Sequence, residues 1–215
     1  MSTPVVLLHG IWMPGAELYL LKRRLEEDGE FSGHLFSYAS VGETLDGNAA
    51  RLAELVRGLD ADTVHLVGHS LGGVVALRML LNERDAPPGR VLCLGSPLTG
   101  SRAAGFLERY GWGRRLAGRT LRTGVVDSPA SDWAGPVTAA REVGVIAGTL
   151  PYGLGRLVVR FDGDSDGTVA VEETRLPGIS DHLCLPVSHT TLATSKDVAV
   201  QTAAFLRRGE FLRED

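Results

Sequence analysis

The run Val64-His65-Leu66-Val67-Gly68-His69-Ser70-Leu71-Gly72-Gly73-Val74-Val75 constrains the fold of this chain more than any other stretch. Its first half is apolar and β-type. Its second half opens a helical pattern carried by Val74, Val75, Leu77, Met79, Leu80 and Leu81. Between them, Gly-x-Ser-x-Gly marks a sharp turn from strand to helix, with Ser70 raised on it in a strained backbone conformation. Gly68 and Gly72 read as positions where a Cβ would collide across the turn, and Gly73 as the one that lets the helix lie close to the sheet. With 27 glycines in 215 residues, chance matches to such a motif are to be expected in loops. The strand before it and the helix after it separate this one from those.

The rest of the chain alternates in the same way. Pro4–Leu8 is a continuous apolar run, as in a strand buried on both faces. Further strands are expected at His34–Tyr38, Thr63–Val67, Arg90–Leu94, Glu142–Ala147 and Leu183–Pro186. Helices are expected at Glu17–Glu27, Thr44–Leu59, Leu71–Asn82 and Ser195–Arg207. The stripe Ala49, Leu52, Ala53, Leu55 and Val56 and the C-terminal stripe Val198, Ala199, Ala203, Phe205 and Leu206 show the buried faces of two of them. This order predicts an α/β fold: a mostly parallel sheet of about six strands with helices on both faces. Residues 1–215 suit one such domain, with 96–141 as a helical or irregular insertion forming at most a small lid.

Composition excludes several function classes. A net charge of −4 implies no attraction to nucleic acid. No apolar run approaches the roughly 18 residues of a membrane span, so no membrane insertion is expected. Met1-Ser2-Thr3-Pro4 runs directly into a strand and leaves no room for a signal peptide, so a cytoplasmic location is the expectation. Cys93 and Cys184 each lie in an apolar run and read as buried small hydrophobes, not as a disulfide framework. Oligomeric state is not legible.

In a parallel sheet of this kind, ligands bind outside the carboxyl ends of the strands. A serine nucleophile needs a base, and the base needs an orienting carboxylate. Two histidines follow Ser70. His182 precedes the last strand and lies at the sheet's amino end. His189 follows that strand and lies at the carboxyl end, so it is the base. His69, inside the motif, packs beneath the turn. The acid falls between the Glu142–Ala147 strand and His189, where Asp162, Asp164 and Asp166 are candidates; Asp181, beside His182, is a poor fourth. Asp166 is preferred because Gly167 supplies the tight turn that aims it. Hydrolysis also needs two donors for an oxyanion. The Leu71 N–H, at a helix start, is one. The loop His9-Gly10 after the first strand supplies the other through Ile11, with Trp12 as the next candidate. Trp12 and Leu98 are candidates for contact with substrate.

Two other patterns compete for attention. Asp162, Asp164, Asp166, Gly167 and Glu173 match a calcium-binding loop position for position. The flanks argue against it: Leu157–Phe161 looks extended and Arg175-Leu176-Pro177-Gly178 is broken by proline, where helices are required. The expectation is no metal and no cofactor. Gly100–Val126 carries arginines at 102, 109, 114, 115, 119 and 122 against one acid, Glu108. That is either a basic rim for anionic ligands or a solvated face over an apolar side formed by Phe106, Leu107, Tyr110, Trp112 and Leu116. The second reading is preferred.

With these pieces assembled, the chain resembles small α/β-hydrolases of the lipase and esterase type, especially compact bacterial lipases and hydrolases likened to inositol deacylases. The shared landmarks are Val6-Leu7-Leu8-His9-Gly10-Ile11, Gly68-His69-Ser70-Leu71-Gly72-Gly73, Gly95-Ser96-Pro97, Asp166-Gly167-Thr168-Val169 and His189. The resemblance implies cleavage of carboxylic esters of small apolar substrates through an acyl-enzyme on Ser70, with His189, Asp166 and the Ile11 and Leu71 donors. A thioesterase, amidase or acyltransferase would use the same residues, and a non-catalytic binding protein is the alternative from another class.

Overall fold

The computed structural model describes residues 2–108, 118–152 and 163–213. Six strands form one sheet in the order β2-β1-β3-β4-β5-β6. They are β1 (Thr3–Leu8), β2 (Phe31–Phe36), β3 (His65–His69), β4 (Val91–Leu94), β5 (Val143–Gly148) and β6 (Asp181–Leu185). Every pairing is parallel. All the turns that follow the strands therefore gather at one edge. The expected parallel sheet and strand count hold, while several strand ends shift by two residues. The second strand is Phe31–Phe36 because it pairs in register from Thr3 with Phe31 to Leu8 with Phe36. Tyr38 has by then left the ladder and hydrogen-bonds His9 instead.

Helices α2 (Leu45–Gly58) and α3 (Leu71–Asn82) cover one face, and α1 (Tyr19–Leu25) and α6 (Lys196–Arg208) the other. Alternate residues of each strand feed the two cores. On β3, Leu66 joins the α2–α3 side and Val67 the α1–α6 side. Thr44 caps α2 by accepting the Gly47 N–H, and Ser195 caps α6. The first expected helix begins as a 3₁₀ turn over Ala16–Leu18 before α1 proper. Fully buried Phe205 of α6 packs against β5, where a Cβ on Gly144 would sit 2.7 Å from its ring. Burying a side chain of that size is worth roughly 1.5–3 kcal/mol. Among the described residues, no helix is long and apolar enough to cross a membrane.

The insertion opens with α4 (Arg102–Glu108), and α5 (Gly135–Ala140) leads into β5. Its segment from Gly118 packs on the β2–α2 connection. Arg119 N–H donates to the Val41 carbonyl, and buried Asn48 donates to Thr120 Oγ1. Arg102, Arg119 and Arg122 are exposed and Phe106 is half-buried, in keeping with a solvated arginine face. Arg109, Tyr110, Trp112, Arg114, Arg115 and Leu116 lie outside the described residues, as do Leu157–Phe161 and Asp162. One expectation fails outright. Cys93 is buried, but Cys184 is exposed, because β6 is the outer strand of the described sheet.

Candidate active site

Ser70 follows the last residue of β3 and precedes α3 with φ 53° and ψ −122°, outside the regions that side chains favour. Its N–H donates to the Leu94 carbonyl at 2.8 Å, which pins the turn to β4. A Cβ on Gly68 would overlap the Gly73 backbone, so that glycine clears the turn as read from sequence. Gly72 acts elsewhere. Its Cβ would fall 2.5 Å from the Leu8 carbonyl oxygen, so it lets α3 approach the end of β1 and clears no path across the turn. Gly73 faces β4, where a Cβ would sit 3.0 Å from Cys93 Sγ. Burial pushes the Cys93 thiol up to about 12, which makes it an inert packing group.

The candidate acid and the candidate base meet at the same edge. His189 Nδ1–H donates to Asp166 Oδ2 at 2.6 Å. The other carboxylate oxygen, Oδ1, accepts the Thr168 and Val169 N–H groups at 2.8 and 2.7 Å. Those two bonds fix the carboxylate plane, and Gly167 at φ 91° makes the turn that allows them. The backbones are joined as well, because His189 N–H donates to the Asp166 carbonyl at 2.9 Å. Asp166 is 1% exposed and sits in a cradle of two glycines at neighbouring strand ends. A Cβ on Gly95 would lie 2.9 Å from Asp166 Oδ2, and one on Gly148 would lie 2.7 Å from Asp166 Cβ. No hydrogen bond joins Ser70 to His189 among the described contacts, and such bonds commonly tighten only with substrate in place.

The loop after β1 is held by its own histidine. Tyr38 N–H donates to His9 Nε2, so the ring proton is on Nδ1, which donates to the Gly10 carbonyl. The Tyr38 hydroxyl donates to the His9 carbonyl, and the two rings stack at 4.3 Å. Burial raises the Tyr38 phenol, with the Glu17 charge adding to it, so it stays a donor. Trp12 N–H donates to Ser40 Oγ and is thereby engaged away from an oxyanion. Ile11 is the donor candidate that remains in this loop. Leu71, the first residue of α3, has one of the N–H groups that no helix satisfies internally. Trp12 itself is 52% exposed at the rim, whereas Leu98 is fully enclosed in the core with its N–H donating to the Glu173 carbonyl.

Glu173 was not singled out by any hydrolase motif, yet it is buried and ties the acid loop to the insertion. Its oxygens accept the Arg102 and Ala170 N–H groups at 2.7 and 3.0 Å. Burial lifts its carboxyl above the usual range, against the pull of those two donors. Of the acids in the calcium pattern, Asp166 is turned to His189 and Glu173 to backbone N–H groups, while Asp162 lies outside the described residues. His182 lies within β6 at the amino end, 2.9 Å from Thr174 Oγ1 and away from Ser70.

The model of the alpha/beta hydrolase family matches residues 5–210. The chain belongs to the α/β-hydrolase family. None of the curated proteins matches this sequence. Among solved structures, this α/β-hydrolase is similar to the mature lipase BlEst2 of Bacillus licheniformis, with 18% identity, 97% of this chain and 92% of that one covered, and a TM-score of 0.71. It is also similar to the esterase EaEST of Exiguobacterium antarcticum, at 16% identity over 96% and 92% of the two chains, TM-score 0.66. The carboxylesterase CesB of Bacillus subtilis shows 15% identity over 97% and 84%, TM-score 0.56. At these identities the likeness speaks for the fold. Within the α/β-hydrolase frame, the site residues that sequence reading passed over are Gly148, Glu173 and the grip of His69.

Proposed function

We propose that this α/β-hydrolase cleaves carboxylic esters of small apolar substrates through an acyl-enzyme on Ser70. The observation that carries the reading is the 2.6 Å bond between His189 Nδ1 and Asp166 Oδ2, at the sheet edge where Ser70 stands on a strained turn. With Asp166 holding the Nδ1 proton, His189 Nε2 is left as the base. It takes the Ser70 proton as Oγ attacks the ester carbonyl. The tetrahedral oxyanion is received by the Ile11 and Leu71 N–H groups, each worth about 10²–10³ in rate. The proton passes from Nε2 to the departing alkoxide, and water then enters by the same route to release the acid. Trp12 offers an aromatic surface to the substrate at the rim, while the expected contact from Leu98 is dropped because that side chain is fully enclosed. The reading assigns no metal and no cofactor.

An active-site serine phosphonate tests the reading. It should label wild-type protein and leave Ser70→Ala unlabelled; folded wild-type protein that resists labelling would sink the proposal. A rate series on aryl esters of rising acyl length, with matched aryl thioesters, then separates short-chain esterase from lipase and thioesterase.

A further inference from the structure

We propose that His69 is a positioning residue for the base, its Nε2–H holding the His189 carbonyl and so setting the place of the His189 ring beside Ser70; this rests on the ester-hydrolase reading above. Val67 and His69 share one face of β3, and Val67 lies in the core beneath α6. His69 is the topmost residue of that face, directly under the loop that carries His189. Its Nε2 lies 2.9 Å from the His189 carbonyl oxygen. A carbonyl can only accept, so Nε2 bears the ring proton and Nδ1 has a bare lone pair.

That Nδ1 is buried without a hydrogen-bond partner among the described residues. An unpaired buried nitrogen is unfavourable, and an apolar side chain of the same size would not carry the penalty. The gain from a histidine here must therefore lie at Nε2. The His189 peptide is held at its N–H by the Asp166 carbonyl, and its ring by Asp166 Oδ2. Both tethers lead back to the acid loop. Among the described residues, the His69 bond is the one that joins the base loop to the strand of the nucleophile. Ser70 is covalently next to His69, so the serine–base separation runs through a single side chain and a single hydrogen bond. The rings of His69 and His189 are 4.8 Å apart, and a charge on His69 would oppose the imidazolium that forms during turnover. Burial, with His189 close by, holds His69 down to about 3, so it stays neutral.

The experiment compares His69→Gln, whose amide nitrogen reaches the position of Nε2, with His69→Asn, whose donor stops one bond short, and with His69→Phe, which fills the volume without a donor. Three quantities are measured: kcat and KM on an aryl ester, the Tm, and the low-field proton resonance of the His189–Asp166 bond. His69→Gln should keep kcat within about threefold, while Asn and Phe should lose roughly ten- to a hundredfold with KM little changed. The low-field resonance should persist in Gln and broaden in Asn and Phe. If all three variants fall alike in step with their Tm, or if Asn keeps full kcat, His69 is packing only and the inference is overturned. If Phe does not fold, the Gln–Asn contrast still decides. Wild-type protein without esterase activity whose resonance nevertheless discriminates Gln from Asn would remove the ester reading and leave the positioning role standing.

Discussion

The two halves of the site are constructed on different plans. The nucleophile half is nearly continuous in sequence: Gly68, Ser70, Gly72 and Gly73 lie within six residues, and the glycines clear backbone of their own turn and of β1 and the Cys93 and Ser96 side chains. The acid–base half is gathered from Gly95, Gly148, Asp166 and His189, which follow four different strands or loops. In the first half the fold itself depends on the motif. In the second, the fold is already complete and the residues only have to be held in place. Glycine substitutions in the two halves should therefore fail differently, one in stability and the other in rate.

The largest effect is expected at Asp166. Asp166→Asn keeps the shape but leaves the base without its orienting acceptor, and kcat/KM should fall by about 10⁴. Asp164→Asn, in the same loop, should cost less than about threefold on the same ester assay. If Asp164→Asn proves the more damaging, the acid has been misassigned. Next comes the cradle. Gly148→Ala would press on Asp166 Cβ and on the Val187 carbonyl, and should cost about 10² in kcat through displacement of the carboxylate. Gly72→Ala, by contrast, drives α3 off the end of β1 and should lower stability by about 3 kcal/mol or prevent folding. Purified Gly72→Ala with normal Tm and low activity would erase the distinction between the halves.

That distinction also explains what could be read in advance. Ser70, His189 and Asp166 could be singled out as candidates because each stands beside a turn signal after an apolar run, which is local information, and the structure pairs the last two. The parallel sheet of six strands followed from the alternation of apolar runs and helical stripes. Gly148 and Glu173 were not legible as site residues. Gly148 is defined by what lies against it, Asp166 Cβ and Val187, and Glu173 by backbone donors at Arg102 and Ala170. Neither contact leaves a periodicity in the chain. Cys184 was misread for a similar reason: an apolar run does not say whether its strand is central or outermost.

The comparison can be carried along β3 itself, where two buried histidines sit four residues apart. His69 touches the base; His65, at the amino end, accepts the Arg90 N–H on its Nδ1 at 2.9 Å and has only structural partners. Burial, with Arg90 adding to it, holds His65 down to about 4, against an ordinary value near 6.5. As pH falls below about 6.5, the unfolded chain takes up a proton that the folded chain refuses until about pH 4, so stability is full above 6.5 and declines between the two. The loss for His65 is at most about 3 kcal/mol. His65→Gln should flatten the fall of Tm between pH 6.5 and 4 while leaving esterase activity at pH 7.5 within about twofold. A Tm–pH curve identical to that of wild type would show that His65 does not titrate between the two states.

The smallest effect probes the strain stored in the nucleophile half. Ser70 holds a positive φ that a side chain disfavours, and its Oγ caps nothing in α3. Ser70→Gly removes the Cβ from that conformation and abolishes the nucleophile at once. The relief of strain is worth about 1–2 kcal/mol, and the extra freedom of an unfolded glycine returns about 0.5–1 of it. Ser70→Gly should therefore be slightly more stable than wild type, by up to about 1 kcal/mol in urea unfolding at unchanged slope. Ser70→Ala keeps the Cβ and the strain, and should match wild type in stability while equally inactive. If Ser70→Gly is instead destabilised and Ser70→Ala is not, the turn is held by the serine side chain and not in spite of it. The nucleophile half would then resemble the acid–base half, a place where one side chain's contacts decide the geometry.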